Sequence, residues 1–167
     1  MKIAVLSDAH DQLANLQRVL TAVQQEGAEH LCFLGDFCAP FTLAALASGF
    51  PGPIDVVFGN NDGDAFLLTS VASKHPNVKL HGHFAELDLA SRRIALHHYP
   101  DVAHYIAASE HFDAVFSGHD HQRYAHQLGR TIWANPGEIM GRFGTVSFGI
   151  YDSTDNSFRH VELPPDP

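Results

Sequence analysis

The chain has 167 residues, 45% of them hydrophobic, and a formal net charge of -9. This length supports one well-buried core and is too short for two ordinary domains. We expect a single domain over residues 1–163, followed by a Pro-rich tail, 164–167, that frays. The acidic balance and the lack of any Lys/Arg cluster in the sequence argue against a long nucleic acid as a partner.

The N-terminal segment MKIAVLSDAH has an apolar run that is too short for a signal peptide. Nowhere do about 18 apolar residues follow one another, so we expect a cytoplasmic protein with no membrane partner. Cys32 and Cys38 fit neither a redox pair nor a disulfide framework and are expected to be reduced packing residues. The 13 histidines outnumber the 10 Lys and Arg combined, which makes their positions informative.

Hydrophobic periodicity predicts alternating strands and helices through the first half of the chain. The predicted strands are Ile3–Leu6, HLCFLGD ending at Asp36 and IDVVFGN ending at Asn60, and the predicted helices are Leu13–Gln25, Phe41–Ala47 and Asp64–Lys74. Asp11 is the expected N-cap of the first helix. Alternation of this kind is typical of parallel strand pairing.

The second half of the chain is richer in strands. HFAELDL and RRIALHH, joined by a turn at Ala90-Ser91, predict a hairpin, and a helix is predicted over Val102–Ser109. DAVFSGHDH, QRYAHQL, RTIWANPG, TVSFGIYD and SFRHVEL follow as predicted strands, the last four with tight turns between them. Together, the two halves predict an α/β fold in which two packed mixed β-sheets are flanked by helices.

Residues of metal-binding types stand just past five of the predicted strands. They are Asp8, His10, Asp36, Asn60, His97, His119 and His121. Because the carboxyl ends of strands in an α/β sheet converge on one crevice, we expect these side chains to meet. In extended backbone the pairs 8/10 and 119/121 would each present both side chains to one side. Glycines at positions 35, 59 and 118 allow sharp bends directly before three of the ligands.

Taken singly, each of these residues has an ordinary explanation, since Asp can cap a helix and Asn60 in GNND can be a turn residue. Seven donors at consecutive strand ends make coincidence a poor account. Two cations about 3.5–4 Å apart need a bridging carboxylate, and Asp36, alone on its strand end, is the natural bridge. Donors of imidazole, carboxylate and amide type favour two divalent transition-metal ions, with Mn the first candidate and Fe, Ni, Co or Zn the others.

The ordered motifs SDAH, GDF, GNND, LHHYP, SGHDH and NPGE resemble those of the calcineurin-like metallophosphoesterases, in particular their small single-domain phosphodiesterase branch. The resemblance covers essentially the whole chain and implies an αββα sandwich. It implies that Asp8, His10, Asp36 and His121 bind one metal and that Asp36, Asn60, His97 and His119 bind the other, with a metal-bridging hydroxide as the nucleophile. NPGE, Asn135–Glu138, resembles a family turn near the site that either contacts substrate or is only a turn.

Two positions depart from the family's pattern. Asn61 stands where larger phosphatases of the superfamily carry a His that assists the leaving group, and an amide cannot donate a proton as an acid. His98 follows His97 where the family more often has Gly. Neighbouring strand residues face opposite sides, so only one of the two histidines can be a ligand. The motif alignment favours His97 and leaves His98, like Asn61, as a candidate for positioning substrate.

The sequence therefore predicts a metal-dependent phosphoric ester hydrolase acting on a small phosphate ester, with a diester that has a good leaving group as the expected substrate. Two alternatives stay open. One is a phosphomonoesterase. The other is a non-catalytic scaffold for protein assembly, because the phosphoesterase-fold subunit of the eukaryotic retromer resembles this branch. The sequence also leaves a homo-oligomer open.

Overall fold

The computed structural model describes residues 1–165, which contain four helices and eleven strands. In chain order these are β1 (Lys2–Leu6), α1 (Leu13–Gln25), β2 (His30–Phe33), α2 (Pro40–Gly49), β3 (Ile54–Val56), α3 (Ala65–Ala72), β4 (Val78–Leu80), β5 (Phe84–Leu89), β6 (Arg92–His97), α4 (Pro100–Ala108), β7 (Ala114–Phe116), β8 (Arg123–Leu128), β9 (Thr131–Pro136), β10 (Ser147–Asp152) and β11 (Ser157–Glu162).

The strands form two mixed sheets, as the sequence predicted. The first has the order β11-β10-β1-β2-β3-β4, in which β1 to β4 are parallel and β10 and β11 are antiparallel. The second has the order β5-β6-β7-β9-β8, in which β6, β7 and β9 are parallel and both edge strands are antiparallel. The predicted hairpin is the pair β5 and β6.

Three buried clusters separate the chain into helix, sheet, sheet and helix layers. One packs α1, α2 and α3 onto the first sheet, a second fills the space between the sheets, and a third lies between the second sheet and α4. Strand β1 shows how alternation builds these layers, because Val5 faces the other sheet while Leu6 faces the helices. Both faces of β1 are buried, which explains its continuous apolar run.

Parallel pairing places the ends of neighbouring strands side by side. Leu6 pairs with Phe33 and Phe33 pairs with Val56, so β1, β2 and β3 end at one edge of the first sheet. Leu96 and Phe116 pair in the same way at the ends of β6 and β7. The loops that leave these five strands therefore meet at one end of the molecule.

Several predicted bounds differ from the structure. Strand β2 ends before Asp36 and β3 ends before Asn60, and Asp36 lies in a left-handed conformation, with a φ of 59°, that extended pairing cannot accommodate. Leu13, predicted on the apolar face of α1, is 42% exposed. The tight turn expected between β9 and β10 is instead the loop 137–146.

The predicted capping of α1 by Asp11 is wrong. Gln12 is the N-cap residue and makes no side-chain cap bond. The Asp11 carboxylate turns instead to the start of α2, where its Oδ1 accepts hydrogen bonds from Ala39 N at 2.9 Å and Thr42 Oγ1 at 2.6 Å. Asp11 thus connects the loop after β1 to the second helix.

Other predictions concern the cysteines, the tail and membrane spans. Cys32 and Cys38 are both free, as expected. The carbonyl of Pro164 accepts a hydrogen bond from the Arg18 guanidinium. The predicted fraying at positions 166 and 167 lies outside the described residues. None of the helices within residues 1–165 has the length and apolar character that a membrane crossing requires.

A buried carboxylate within β3 connects three segments of the first sheet. Asp55 is 7% exposed, and its oxygens lie 2.6 Å from His30 Nε2 and 2.5 Å from His81 Nε2. Burial raises the pKa of Asp55, but the hydrogen bonds to the two imidazoles outweigh burial and leave the pKa lowered. The ionised carboxylate therefore joins β2, β3 and the segment after β4.

We expect Asp55→Asn to lower the free energy of unfolding by about 1–3 kcal/mol at neutral pH, because an amide offers only one acceptor oxygen to the two imidazoles. Since the pKa of Asp55 is lowered in the folded protein, its contribution is complete above the unfolded-state pKa, about 3.9, and is lost as the pH falls through the folded-state pKa. Urea unfolding across this range should show the difference from the unsubstituted protein shrinking on acidification.

Glu86→Gln is the control, because it removes only an exposed ion pair with Arg93 and should change stability by less than about 1 kcal/mol. A loss in Asp55→Asn that stays constant with pH would contradict the role assigned to the carboxylate.

Candidate metal centre

Five of the seven predicted ligands lie in left-handed backbone conformations. Their φ values are 55° for Asp8, 43° for His10, 59° for Asp36, 73° for His119 and 61° for His121. Such conformations cost about 1–3 kcal/mol each and cluster at functional sites. The expectation of extended backbone at positions 8 to 10 and 119 to 121 is therefore wrong, although both pairs still present their side chains to one place.

Glycines allow the loops to come close to one another. A Cβ atom on Gly35 would lie 2.3 Å from Gly59 N, and one on Gly118 would lie 1.9 Å from Ser7 Oγ. Any larger residue at these positions would push the loops apart. The three loops are thus as close as their backbones permit, which brings the side chains that follow each glycine together.

The first cluster of candidate ligands consists of Asp8, His10 and His121, whose ligand atoms lie within 4.8 Å of one another. Asp8 Oδ1 is 3.8 Å from His10 Nε2 and 3.6 Å from His121 Nε2. Asp8 Oδ1 and His10 Nε2 are buried and have no hydrogen-bond partner within residues 1–165. Buried polar atoms normally have partners, so the first cluster fits a cation that all three side chains would ligate.

The second cluster consists of Asp36, His98 and His119, again with ligand atoms within 4.8 Å of one another. His98 Nε2 is 3.5 Å from Asp36 Oδ2 and 3.0 Å from Asn60 Oδ1, which brings Asn60 to the same place. On the other side of the ring, His98 Nδ1 is 2.7 Å from the carbonyl oxygen of Leu34. Since Nδ1 donates to this carbonyl, the Nε2 lone pair faces the cluster.

Asp36 lies between the two clusters. Its Oδ2 is 3.5 Å from His10 Nε2 in the first cluster and 3.5 Å from His98 Nε2 in the second. Asn61 donates hydrogen bonds to the same carboxylate, from its backbone N to Oδ1 and from Nδ2 to Oδ2, both at 2.8 Å. Burial raises the pKa of Asp36, but His98 and Asn61 outweigh burial and leave the pKa well below its usual range. Asp36 is therefore ionised.

The carboxylates favour positive charge at both clusters. Asp8, followed by Asp36, raises the pKa of His10 although burial lowers it. Burial likewise lowers the pKa of His98, but Asp36 and Asp8 outweigh burial and leave the pKa raised. The site thus stabilises protons on its imidazoles in the metal-free protein. The same field would stabilise divalent cations in their place.

The structure places His98, and not His97, among the candidate ligands. His97 belongs to neither cluster; its Nδ1 accepts a hydrogen bond from Tyr99 N at 3.1 Å, and burial lowers the pKa of His97. His98 is 1% exposed, and both of its ring nitrogens have partners in the interior, so it cannot contact substrate as expected. The choice of His97 from the motif alignment is corrected accordingly.

Strand alternation is the physical reason for this correction. Ile94 and Leu96 pack between the two sheets, whereas Ala95 packs towards α4. His98 continues the first series and His97 continues the second. The alternation was present in the sequence, but both faces of β6 are apolar, which hid its direction.

Two acids near the clusters were not assigned a role from the sequence. Asp62 Oδ2 accepts hydrogen bonds from Gly59 N at 2.7 Å and Asp36 N at 3.1 Å, and its Oδ1 accepts from Cys38 N at 2.9 Å. Asp62 therefore ties the loops after β2 and β3 together. Glu138, the last residue of NPGE, lies behind His121 at 2.5 Å from its Nδ1. GNND and NPGE were both recognised as motifs, which was the available signal for these acids.

The fold and the clustered imidazoles and carboxylates at its strand ends place this chain in the class of metallophosphoesterases. Residues 1–156 match the model of the calcineurin-like phosphoesterase superfamily domain. The chain belongs to this family, and its members' chemistry makes it a hydrolase of phosphate esters.

Known proteins with similar sequence or structure support the same class. Phosphodiesterase MJ0936 of Methanocaldococcus jannaschii is 26% identical over 166 residues, covering 98% of this chain and 99% of that protein. The solved structure of a novel archaeal phosphodiesterase has a TM-score of 0.90 and 26% identity, covering 98% of this chain and 100% of that one. YfcE, a phosphoesterase from E. coli, shares the fold with a TM-score of 0.68 and 23% identity, covering 98% and 100% of the two chains.

The placement of the two histidines can be tested by metal titration. We expect His98→Ala to weaken binding at the second cluster by at least about 100-fold, since it removes a ligand outright. Calorimetric titration of the metal-free variant with Mn should then show one cation fewer per chain than the unsubstituted protein binds.

His97→Ala is the matched control, and we expect it to keep the full stoichiometry because His97 lies outside both clusters. Thermal unfolding of both variants checks that the fold survives. A greater loss of metal in His97→Ala than in His98→Ala would restore the assignment from the motif alignment.

Proposed function

We propose that the chain is a binuclear metal-dependent phosphodiesterase that hydrolyses a small phosphate diester. The observation that carries this proposal is the position of Asp36 Oδ2, 3.5 Å from an imidazole of each cluster, which suits a carboxylate that bridges two cations. In this proposal Asp8, His10, Asp36 and His121 hold one cation, and Asp36, Asn60, His98 and His119 hold the other. The diester is supported by the similarity to MJ0936, which is named a phosphodiesterase.

The donor set suits divalent transition metals. Imidazole nitrogens with carboxylate and amide oxygens favour Mn, Fe, Co, Ni or Zn over Ca, and Mn is our first candidate. Cys38 Sγ is 3.6 Å from His10 Nδ1, on the opposite side of that ring from Nε2. Burial, with Asp11 and Asp36 adding to it, raises the pKa of Cys38 to about 12, so this thiol stays protonated and is no ligand.

The chain's own residues supply charge and geometry for the reaction. When bound, the two cations would lower the pKa of water and withdraw charge from a phosphate, which is the chemistry that ester hydrolysis requires. Asp36 keeps its negative charge between the clusters, and Leu34 O fixes the ring of His98 through Nδ1. Hydrolysis in this arrangement depends on rigid placement of the ligands.

Position 61 bears on the choice of ester. Both hydrogen-bond donors of Asn61, the backbone N and Nδ2, are directed at the Asp36 carboxylate, and its amide is no acid. A leaving group would therefore receive no proton from this position, which favours substrates whose leaving groups depart as stable anions. The expected role of Asn61 in positioning substrate is replaced, in the proposal, by a role in holding Asp36.

A scaffold function is the second candidate, because several apolar side chains are exposed. Phe66 is 84% exposed and Leu67 is 47% exposed at the start of α3, and Tyr105 on α4 is 77% exposed. Such side chains suit contact with another protein or with a second copy of this chain. The buried, strained ligand set favours the enzyme, since a scaffold does not need left-handed conformations at five candidate ligands.

Metal removal and a single substitution separate the two candidates. We expect metal-stripped protein to be inactive towards an activated aryl phosphodiester and added Mn to restore turnover. Asp36→Asn should abolish turnover even with Mn present, because an amide is a poor bridge between two cations. Steady-state release of the aryl alcohol measures both effects.

Asp88→Asn, on the exposed face of β5, is the control and should retain the full rate. Undiminished turnover in Asp36→Asn would overturn the bridging role. Metal binding without hydrolysis of any diester or monoester would favour the scaffold.

The preference for diesters can be tested with one aryl leaving group in two substrates. We expect the diester to turn over faster than the monoester, and the relative rate to fall steeply as the leaving group becomes more basic. Asn61→His should flatten this dependence by restoring an acid at position 61. Relative rates within each variant cancel any general damage to the site. A faster monoester would favour a phosphomonoesterase.

A further inference from the structure

Glu138 is a buried carboxylate directly behind the first cluster. It follows β9, is 1% exposed, and uses both of its oxygens. Oε2 is 2.5 Å from His121 Nδ1, while Oε1 accepts hydrogen bonds from Phe143 N at 2.6 Å and Gly144 N at 2.7 Å. Burying a charged carboxylate is costly without partners of this kind, so the position of Glu138 is sharply defined.

The contact between Glu138 and His121 decides which ring nitrogen can bind metal. His121 Nε2 faces Asp8 Oδ1 at 3.6 Å, within the first cluster, and Nδ1 faces Glu138 on the opposite side of the ring. A neutral imidazole carries its proton on one nitrogen and a lone pair on the other. A carboxylate acceptor at Nδ1 keeps the proton there and leaves the Nε2 lone pair for a cation.

His10, the other imidazole of the first cluster, has no comparable support. Its Nδ1 lies 3.6 Å from the Cys38 thiol, and sulfur is a weak hydrogen-bond partner. The rings of His10 and His121 stack with centroids 5.2 Å apart and planes at 23°. The orientation of one ring therefore constrains the other, and the carboxylate behind His121 orders both imidazoles.

Glu138 also anchors the loop 137–146 to this imidazole. Besides the two amides bound to Oε1, the Phe143 ring packs edge-on against His121 with centroids 5.1 Å apart. Phe143 is 71% exposed, so little other packing holds it in place. The same carboxylate thus fixes a candidate ligand and the loop segment that covers its outer side.

We infer that Glu138 is a positioning residue that fixes the tautomer and orientation of His121 and thereby sets the metal affinity of the first cluster. This inference rests on the proposed metal site and names a residue beyond its ligand set. The carboxylate acts through His121 and the loop, and it contacts neither the cation nor the substrate.

Glu138→Gln is the decisive substitution because it preserves size and removes one acceptor. The two loop amides and His121 Nδ1–H together require acceptors at both ends of the side chain, and a carboxamide has one oxygen and one donating nitrogen. If the oxygen stays with the amides, the nitrogen donates to His121 Nδ1 and moves the ring proton to Nε2. That tautomer has no lone pair for a cation in the cluster.

The tautomer can be observed in the metal-free protein by two-bond 1H–15N spectra of the histidine rings, at a pH where the ring is neutral. We expect the His121 proton on Nδ1 in the unsubstituted protein and on Nε2, at least in part, in Glu138→Gln. Calorimetric titration with Mn should show affinity at the first cluster reduced by about 10- to 100-fold. Glu162→Gln, which removes an exposed carboxylate paired with Arg123, is the matched control and should change neither readout.

A double-substitution cycle distinguishes positioning from a general structural effect. If Glu138 acts through His121, Glu138→Gln should weaken metal binding little further in a His121→Ala background. Additive losses, or an unchanged His121 tautomer in Glu138→Gln, would overturn the inference. Should Glu138→Gln fail to fold, Glu138→Asp keeps the charge but is too short to span both partners, and wild-type affinity in that variant would equally overturn it. Failure of the unsubstituted protein to bind two cations would instead refute the proposed function.

Discussion

The candidate site depends on one constraint, the burial of the ionised Asp36 carboxylate where the loops of both sheets meet. Asp36 is 1% exposed, and its salt-bridge partners among the described residues are imidazoles, with no Lys or Arg. Asn61 and Asp62 hold the side chain and the backbone amide of Asp36 respectively. A second buried acid, Asp8, lies across the site with an unpartnered oxygen. Such a concentration of negative charge is unfavourable without cations, so metal binding and folding stability are linked at this end of the molecule.

The fold keeps this charge in place through loops that are themselves strained. Left-handed conformations recur at the candidate ligands, and the closest approaches between loops occur at glycines. These costs are offset by strands whose two faces are both buried, such as β1, and by hydrogen bonds between loops, such as Asp8 N to Gly35 O at 3.1 Å and His10 N to Asp36 O at 2.9 Å. The rigid core therefore allows the ligand loops to adopt conformations that they would not hold alone.

Much of the architecture could be predicted from the sequence because it follows from periodicity. Helix α1 has both predicted ends, and the β5–β6 hairpin forms at the expected turn. The predictions that were corrected depended on information that periodicity does not contain. Asp11 caps a different element, which only the tertiary arrangement reveals. The correct face of β6 was hidden because Ala95 and Leu96 are both buried, although on opposite sides.

The candidate site shows the same division. The seven ligand types at strand ends were evident in the sequence, since each follows an apolar run directly. The support behind them was not, because Glu138 reaches His121 across 17 positions and Leu34 reaches His98 across 64 positions. Contacts of this kind depend on which strands are neighbours. They become visible only once β6, β7 and β9 are known to lie side by side.

The order of the strands has a consequence for how the molecule is built during synthesis. Strand β1 pairs with β2 on one side and with β10, from the far end of the chain, on the other. The loop that carries Asp8 is held by Ile139 N and Met140 N, which donate to the carbonyls of Ser7 and Asp8 at 3.1 Å and 2.9 Å. The first ligand in the chain is thus fixed by one of the last segments to leave the ribosome. A nascent chain acquires its metal-binding end only when nearly all of its length has emerged.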